Sequence, residues 1–261
     1  MRLIVNADDC GYSPGINRGI IHAFCRGIVT STTLMVNQQY CGDAVALLKR
    51  HNILSAGLHL NLTRGRPLSE PRCVSTLVDE TGCFHTLDLI YSLPIAAAEV
   101  ETELEAQFWM MVQLGLFPTH LDAHHHLQCH PVIREVMITV AARYKLPLRH
   151  FQKEDKDAML RAGITTPDFF ISSFWDEQAN VEYLCKTLRL LSSSNSGKSV
   201  VELMTHPGFS DENACGSSYY QQRQQELSVL CSSEVKELID SLKIELVDYR
   251  SLRTARSSSQ E

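Results

Sequence analysis

The chain has 261 residues, which at ~150 residues per domain means one large domain or two small ones. Its 44% hydrophobic and 21% charged content is ordinary for a globular protein and excludes the disordered class. A net charge of −6 argues against a nucleic-acid partner, because phosphate neutralisation needs a basic face. In chain order, Leu3-Ile4-Val5 reads as a strand buried on both faces. Cys10-Gly11-Tyr12 is a turn, and Ser13-Pro14 caps a helix with apolar residues at Ile16, Ile20, Ala23 and Phe24. Further strands are predicted at 32–36, 56–62, 119–123, Val200–Thr205 and 244–247. Helices are predicted near 98–114, 131–144, 178–192 and 233–242. Alternating strand and helix imply a mainly parallel sheet, and the length suits a closed (β/α) barrel better than a small open sheet. The expectation is an irregular, TIM-like (β/α) barrel in one domain over 1–250, with a polar tail over 251–261. A hairpin is inserted at 77–84 around Glu80-Thr81-Gly82. The serine-rich stretch 192–199 reads as a solvated loop, since its Gly-Lys-Ser lacks the earlier glycine of a phosphate-binding loop.

The first residues turn acidic at Asp8-Asp9, too early for a secretory signal, and no apolar run spans a bilayer. The nine cysteines are odd in number, scattered, and without a CxxC pair. A cytoplasmic protein with free thiols and no membrane partner is expected.

Four strand ends carry residues suited to chemistry. Asp8-Asp9 closes the first strand on the face where parallel sheets bind ligands. The plain alternative is a capped turn, but Ser13-Pro14 already supplies the cap. In the strand at 56–62, period two puts Gly57, His59 and Asn61 on one face. His59 taken alone reads as a core histidine. His120, Asp122 and His124 alternate in the next strand, inside a run too rich in imidazole for an ordinary loop and well suited to a divalent metal. His206 ends Val200–Thr205 before Pro207-Gly208, which on its own is a simple strand break. Together, an aspartate and two histidines supply the three ligands of a catalytic metal. A second carboxylate then serves as base and a further histidine as acid, making a metal-assisted hydrolase.

The segments Asn6-Ala7-Asp8-Asp9-Cys10-Gly11, Gly57-Leu58-His59, Thr119-His120-Leu121-Asp122-Ala123-His124-His125-His126 and Glu202-Leu203-Met204-Thr205-His206-Pro207-Gly208 resemble those of the YdjC-like carbohydrate deacetylases. Similar too are Gly27-Ile28-Val29-Thr30-Ser31-Thr32-Thr33, Gly65-Arg66-Pro67-Leu68 and Arg223-x-x-Glu226-Leu227. The resemblance is collinear to about residue 250. It implies removal of an acetyl group from N-acetylglucosamine units of short chitooligosaccharides such as diacetylchitobiose, at the mouth of a (β/α) barrel, in a homodimer. By position it assigns Asp9, His59 and His124 to the metal, Asp8 to the general base and His206 to leaving-group departure. The metal it implies is magnesium (Mg2+). Two imidazoles and a carboxylate suit zinc (Zn2+) or another transition metal better. Cys10 stands where the family commonly has an aromatic residue, and a packing role is expected for it.

Two further residues are candidates for substrate binding. Trp175 either stacks on sugar or fills the core; Arg149 either binds sugar or acetate or forms a structural ion pair. Two rival functions remain open. A phosphoesterase or sugar-phosphate-cleaving enzyme would need a phosphate clamp, and no Lys/Arg cluster adjoins these motifs. A non-catalytic sugar-binding relative would have no need of intact Asp8, Asp9, His59, His124 and His206.

Overall fold

The computed structural model describes residues 1–194, 199–211, 219 and 221–254, with residues 253 and 254 in backbone only. Its strands, in chain order, are β1 (Arg2–Cys10), β2 (Ser31–Leu34), β3 (Ala56–Leu60), β4 (Leu121–Ala123), β5 (Phe169–Ile171), β6 (Val200–Thr205) and β7 (Glu245–Leu246). Its helices are α1 (Pro14–Arg26), α2 (Cys41–Arg50), α3 (Leu87–Ser92), α4 (Ala97–Gln113), α5 (Pro131–Tyr144), α6 (Lys153–Arg161), α7 (Val181–Ser194), α8 (Gln222–Leu230), α9 (Ser233–Ser241) and α10 (Arg250–Thr254). They form two compact units, one of Met1–Leu34, Gln39–Ser55 and Pro167–Glu261, the other of Met35–Gln38 and Ala56–Thr166.

In the first unit β1 is central. It pairs in parallel with β6 from Arg2↔Val200 to Ala7↔Thr205. Its other edge takes β7 at Arg2 and Leu3, then β2 from Asn6 onward. β5 lies on the far edge of β6, also parallel. Leu3, Ile4, Val5 and Ala7 are fully buried, as an apolar run covered on both faces must be. The pairing of β1 with β2 slips between Ala7 and Cys10, where Asp9 takes a left-handed φ of 67°. Such an irregularity re-aims side chains at a strand's end. The strand thus runs through the aspartate pair rather than stopping at Val5. α1 begins as expected, with Ser13 Oγ accepting from the Ile16 N–H and Pro14 in the first turn. Near the chain end, Tyr249 donates its hydroxyl proton to the buried Glu202 of β6.

In the second unit β3 and β4 are parallel partners, in the register Leu58↔Leu121, His59↔Asp122 and Leu60↔Ala123. The 147–149 stretch continues this pairing on the other edge of β4, with the Leu121 N–H on Pro147 O and the Arg149 N–H on Leu121 O. Gly57 is glycine for a steric reason: a Cβ there would meet the His120 ring at 2.4 Å. His120 is therefore a core residue, fully buried and bonded to Thr119 Oγ1. The inserted hairpin is present as an antiparallel bridge, Val78↔Phe84, closed by Gly82 at φ 74° and by Asp79 accepting from Thr81 and Cys83.

The α/β class with parallel strands is as expected. In neither unit, taken by itself, do the described strands close on themselves: the first has the order β5-β6-β1-β2 and the second the pair β3-β4. Residues 195–198 of the expected polar loop and 255–261 of the expected tail lie outside the described residues. Among the described residues, no helix is long and apolar enough to cross a membrane.

Candidate functional site

The second unit holds a buried chain of charge. The register that sets His59 beside Asp122 lets His59 Nδ1 donate to Asp122 Oδ1 at 2.7 Å. Arg149 Nη1 lies 2.9 Å from the other oxygen, Oδ2, and both side chains are 0% exposed. Arg149, fully buried, thus forms the ion pair that was one of its two expected roles. With Nδ1 committed as donor, the imidazole tautomer is fixed and Nε2 carries the lone pair with which a histidine can ligate an ion. His124 stands at the end of β4, its ring 5.5 Å from that of His59. β4 does not extend past Ala123. A 3-10 turn follows, in which His125 and His126 take φ of 56° and 53°. These two left-handed steps, costly for residues with a Cβ, are supported by Thr63 Oγ1 on His125 Nδ1 and by the Phe151 ring tilted against His126 at 4.2 Å.

The first unit holds the aspartates. Asn6, two residues before Asp8 on the same strand face, donates to Asp8 Oδ1 at 2.8 Å. Arg223, on α8, donates to Asp9 Oδ2, and its guanidinium lies 5.9 Å from the rings of both Tyr12 and Tyr219. His206 follows the last residue of β6, and the Ala7↔Thr205 register sets it at the same sheet edge as Asp8. Its backbone N–H donates to Glu226 Oε2 at 2.5 Å, and its Nδ1 lies 3.7 Å from Glu226 Oε1. Burial works against the imidazolium. The Glu226 contact and charge, with Asp8 and Asp9 beyond it, outweigh burial and raise the His206 pKa. Trp175 is 53% exposed, its ring 5.9 Å from Tyr219, so the core alternative does not hold for it. Cys10 is buried and its thiol pushed up to about 12 by desolvation, and it bonds to Thr32. That is a packing role.

Buried acidic and imidazole side chains that could bind a metal are thus present in both units, Asp8 and Asp9 in the first and His59, Asp122 and His124 in the second. In each unit these side chains are of the kinds that hold a divalent ion. His59 has the carboxylate support that orients metal-bound histidines, and Arg223 holds Asp9 through Oδ2.

The family described as "YdjC-like protein" matches residues 2–241. The chain belongs to the YdjC-like family. A relative from Brevibacillus brevis named "Carbohydrate deacetylase" is 40% identical, covering 97% of this chain and all of that one. Another of the same name, from Thermoanaerobacter pseudethanolicus, is 35% identical over 96% and 99%. A solved structure from Enterococcus faecalis V583, described as a cellobiose-phosphate cleavage protein, superposes with a TM-score of 0.90. It is 34% identical and covers 96% of this chain and 98% of that one.

From the sequence, Asn6, Arg223 and Glu226 stand only within segments that carry the resemblance, with no role of their own, and neither Tyr219 nor a structural role for Asp122 was found. The spacing Arg223-x-x-Glu226 was the available signal, since residues three apart share one helix face.

Proposed function

We propose that this YdjC-like chain is a metal-dependent carbohydrate N-deacetylase acting on N-acetylglucosamine units of short chitooligosaccharides, diacetylchitobiose among them. The observation that carries the reading is the buried His59–Asp122–Arg149 chain, a support for a metal-bound imidazole that a sugar-binding protein has no use for. The names of the full-length relatives support carbohydrate deacetylation in particular. Asp9, His59 and His124 would hold the ion. Magnesium is the ion the family resemblance implies, while two imidazoles and one carboxylate suit zinc or another transition metal. When bound, the ion supplies Lewis-acid polarisation of an acyl oxygen and acidification of water.

The chain's own residues do the rest. Asp8, held through Oδ1 by Asn6, takes a proton from the attacking water as its oxygen bonds to the acetyl carbon. His206, whose pKa Glu226 raises, gives its proton to the amine nitrogen as the C–N bond breaks. Acetate and a free glucosamine amine leave. Trp175 offers an exposed ring face for a sugar.

The test is incubation of the protein, loaded in turn with magnesium and zinc, with di- and tri-N-acetylchitooligosaccharides. Release of acetate with loss of one acetyl mass per product supports the reading; unchanged substrates with either ion overturn it. A second reading, cleavage of a phosphorylated disaccharide, has the description of the Enterococcus relative in its favour. Phosphate or free monosaccharide as product, in place of acetate, would select it.

A further inference from the structure

Tyr219 takes no part in the proton transfers above, yet it adjoins Asp176, Glu226, His206 and Trp175. Its hydroxyl accepts from the Asp176 backbone N–H at 2.7 Å and donates to Glu226 Oε1 at 2.5 Å. A backbone N–H can only donate, so the one phenolic proton has to go to Glu226. Glu226 is fully buried, and its second oxygen receives the His206 backbone N–H, so a donor pins each oxygen of the carboxylate. That fixes the plane in which Oε1 faces His206 Nδ1 at 3.7 Å, longer than a hydrogen bond and short enough for a strong charge interaction. The Tyr219 ring stands edge-on to His206 at 5.7 Å and 5.9 Å from Trp175. Asp176, next to Trp175, holds a left-handed φ of 52°, a conformation that the bond to Tyr219 helps to retain.

We propose that Tyr219 is a positioning residue: its hydroxyl fixes the Glu226 carboxylate against His206 and ties the Trp175–Asp176 turn to that pair. The inference rests on the reading of His206 as proton donor. Tyr219 acts through His206, and it bears on the chemical step rather than on substrate affinity. Among the described residues, the charged and titratable groups that act on His206 are Asp8 and Asp9 from β1, Glu226 from α8 and the neighbouring Tyr219, and of these Tyr219 lends Glu226 a side-chain proton.

The test is a double-mutant cycle on acetate release. Tyr219→Phe keeps the ring and its packing while removing the hydroxyl. It should lower kcat about tenfold with KM unchanged, the worth of one hydrogen bond to a charged acceptor. In a His206→Asn background the same substitution should cost nothing further, because the residue it acts through is gone. Equal losses in both backgrounds, or a change confined to KM, overturn the inference and leave the proton-donor reading intact. Independently of activity, the His206 ring nitrogen resonances of the metal-free protein should move in Tyr219→Phe while those of His150 stay. If a His206→Asn enzyme keeps full kcat, or the wild type releases no acetate, the proton-donor reading fails and the ring signals alone decide; unmoved His206 signals overturn the inference.

Discussion

Asp122 has two partners, and substituting it tests both links. Asp122→Asn leaves Arg149 buried beside a neutral amide and gives His59 and Arg149, both donors, a single amide oxygen to share in place of two carboxylate oxygens, which loosens the His59 tautomer. Stripping one partner from a buried ion pair costs about 3–5 kcal/mol, so a marked fall in thermal midpoint is expected by calorimetry. Metal affinity should drop about 10–100-fold, read by metal titration of the folded variant. At His206 the sign of the pH effect follows from its raised pKa. The protonated ring is the donor, so activity holds below the raised pKa and falls as pH climbs through it. The stability contributed by the pair follows the same course: fully present below the unfolded pKa and lost through the folded one. In Glu226→Gln the largest raising contact weakens, and the alkaline limb of the rate profile should move to lower pH. A limb that stays in place would show that another group sets it. Among the thiols, Cys10 and Cys41 are buried and pushed up to about 12, whereas Cys25 and Cys73 are exposed. Mild alkylation of the native protein should therefore label Cys25 and Cys73 and spare Cys10 and Cys41, as peptide mapping will show.

At the scale of elements, Gly57 is the sharpest steric constraint. Gly57→Ala puts a methyl group onto the buried His120 ring and should destabilise by about 1–3 kcal/mol, seen as a lower denaturation midpoint. Elements with an apolar signature were legible from sequence. β1 and β6 announce themselves as continuous buried runs, and α1 carries both its cap and its apolar stripe. α8 was not legible because the residues it buries include Arg223 and Glu226, so its inward face reads as solvent-facing. α6 buries only Asp155 and Met159, and β5 has just three residues, too few for any period to show. The ends of β1 and β4 were legible in composition but not in geometry. Nothing in residue type foretells a slipped register at Asp9 or two consecutive left-handed histidines. The candidate ligands could be named because their chemistry is in their side chains. Their supports, Asn6, Arg223 and Arg149, are defined by pairings that only the fold creates.

For the molecule as a whole, binding of an ion to the native state alone adds stability that grows with its concentration. Thermal midpoints should rise as zinc or magnesium is added and fall back with chelator, and most of the rise should vanish in Asp9→Ala. A rise of the same size in that variant would place the ion elsewhere. The family match spans nearly the whole chain, so both compact units belong to what the YdjC-like relatives have in common. The pairing of β1 with β6, Arg2↔Val200 through Ala7↔Thr205, sets an order of events during synthesis. The strand bearing Asp8 and Asp9 is made well before β6, which covers one of its edges, and β7, its partner on the other edge at Arg2 and Leu3, is made later still. Until then Leu3-Ile4-Val5 is a sticky, half-finished edge, open to pairing with other nascent chains. Slower translation at lower temperature should accordingly raise the share of chain recovered from the supernatant rather than from inclusion bodies.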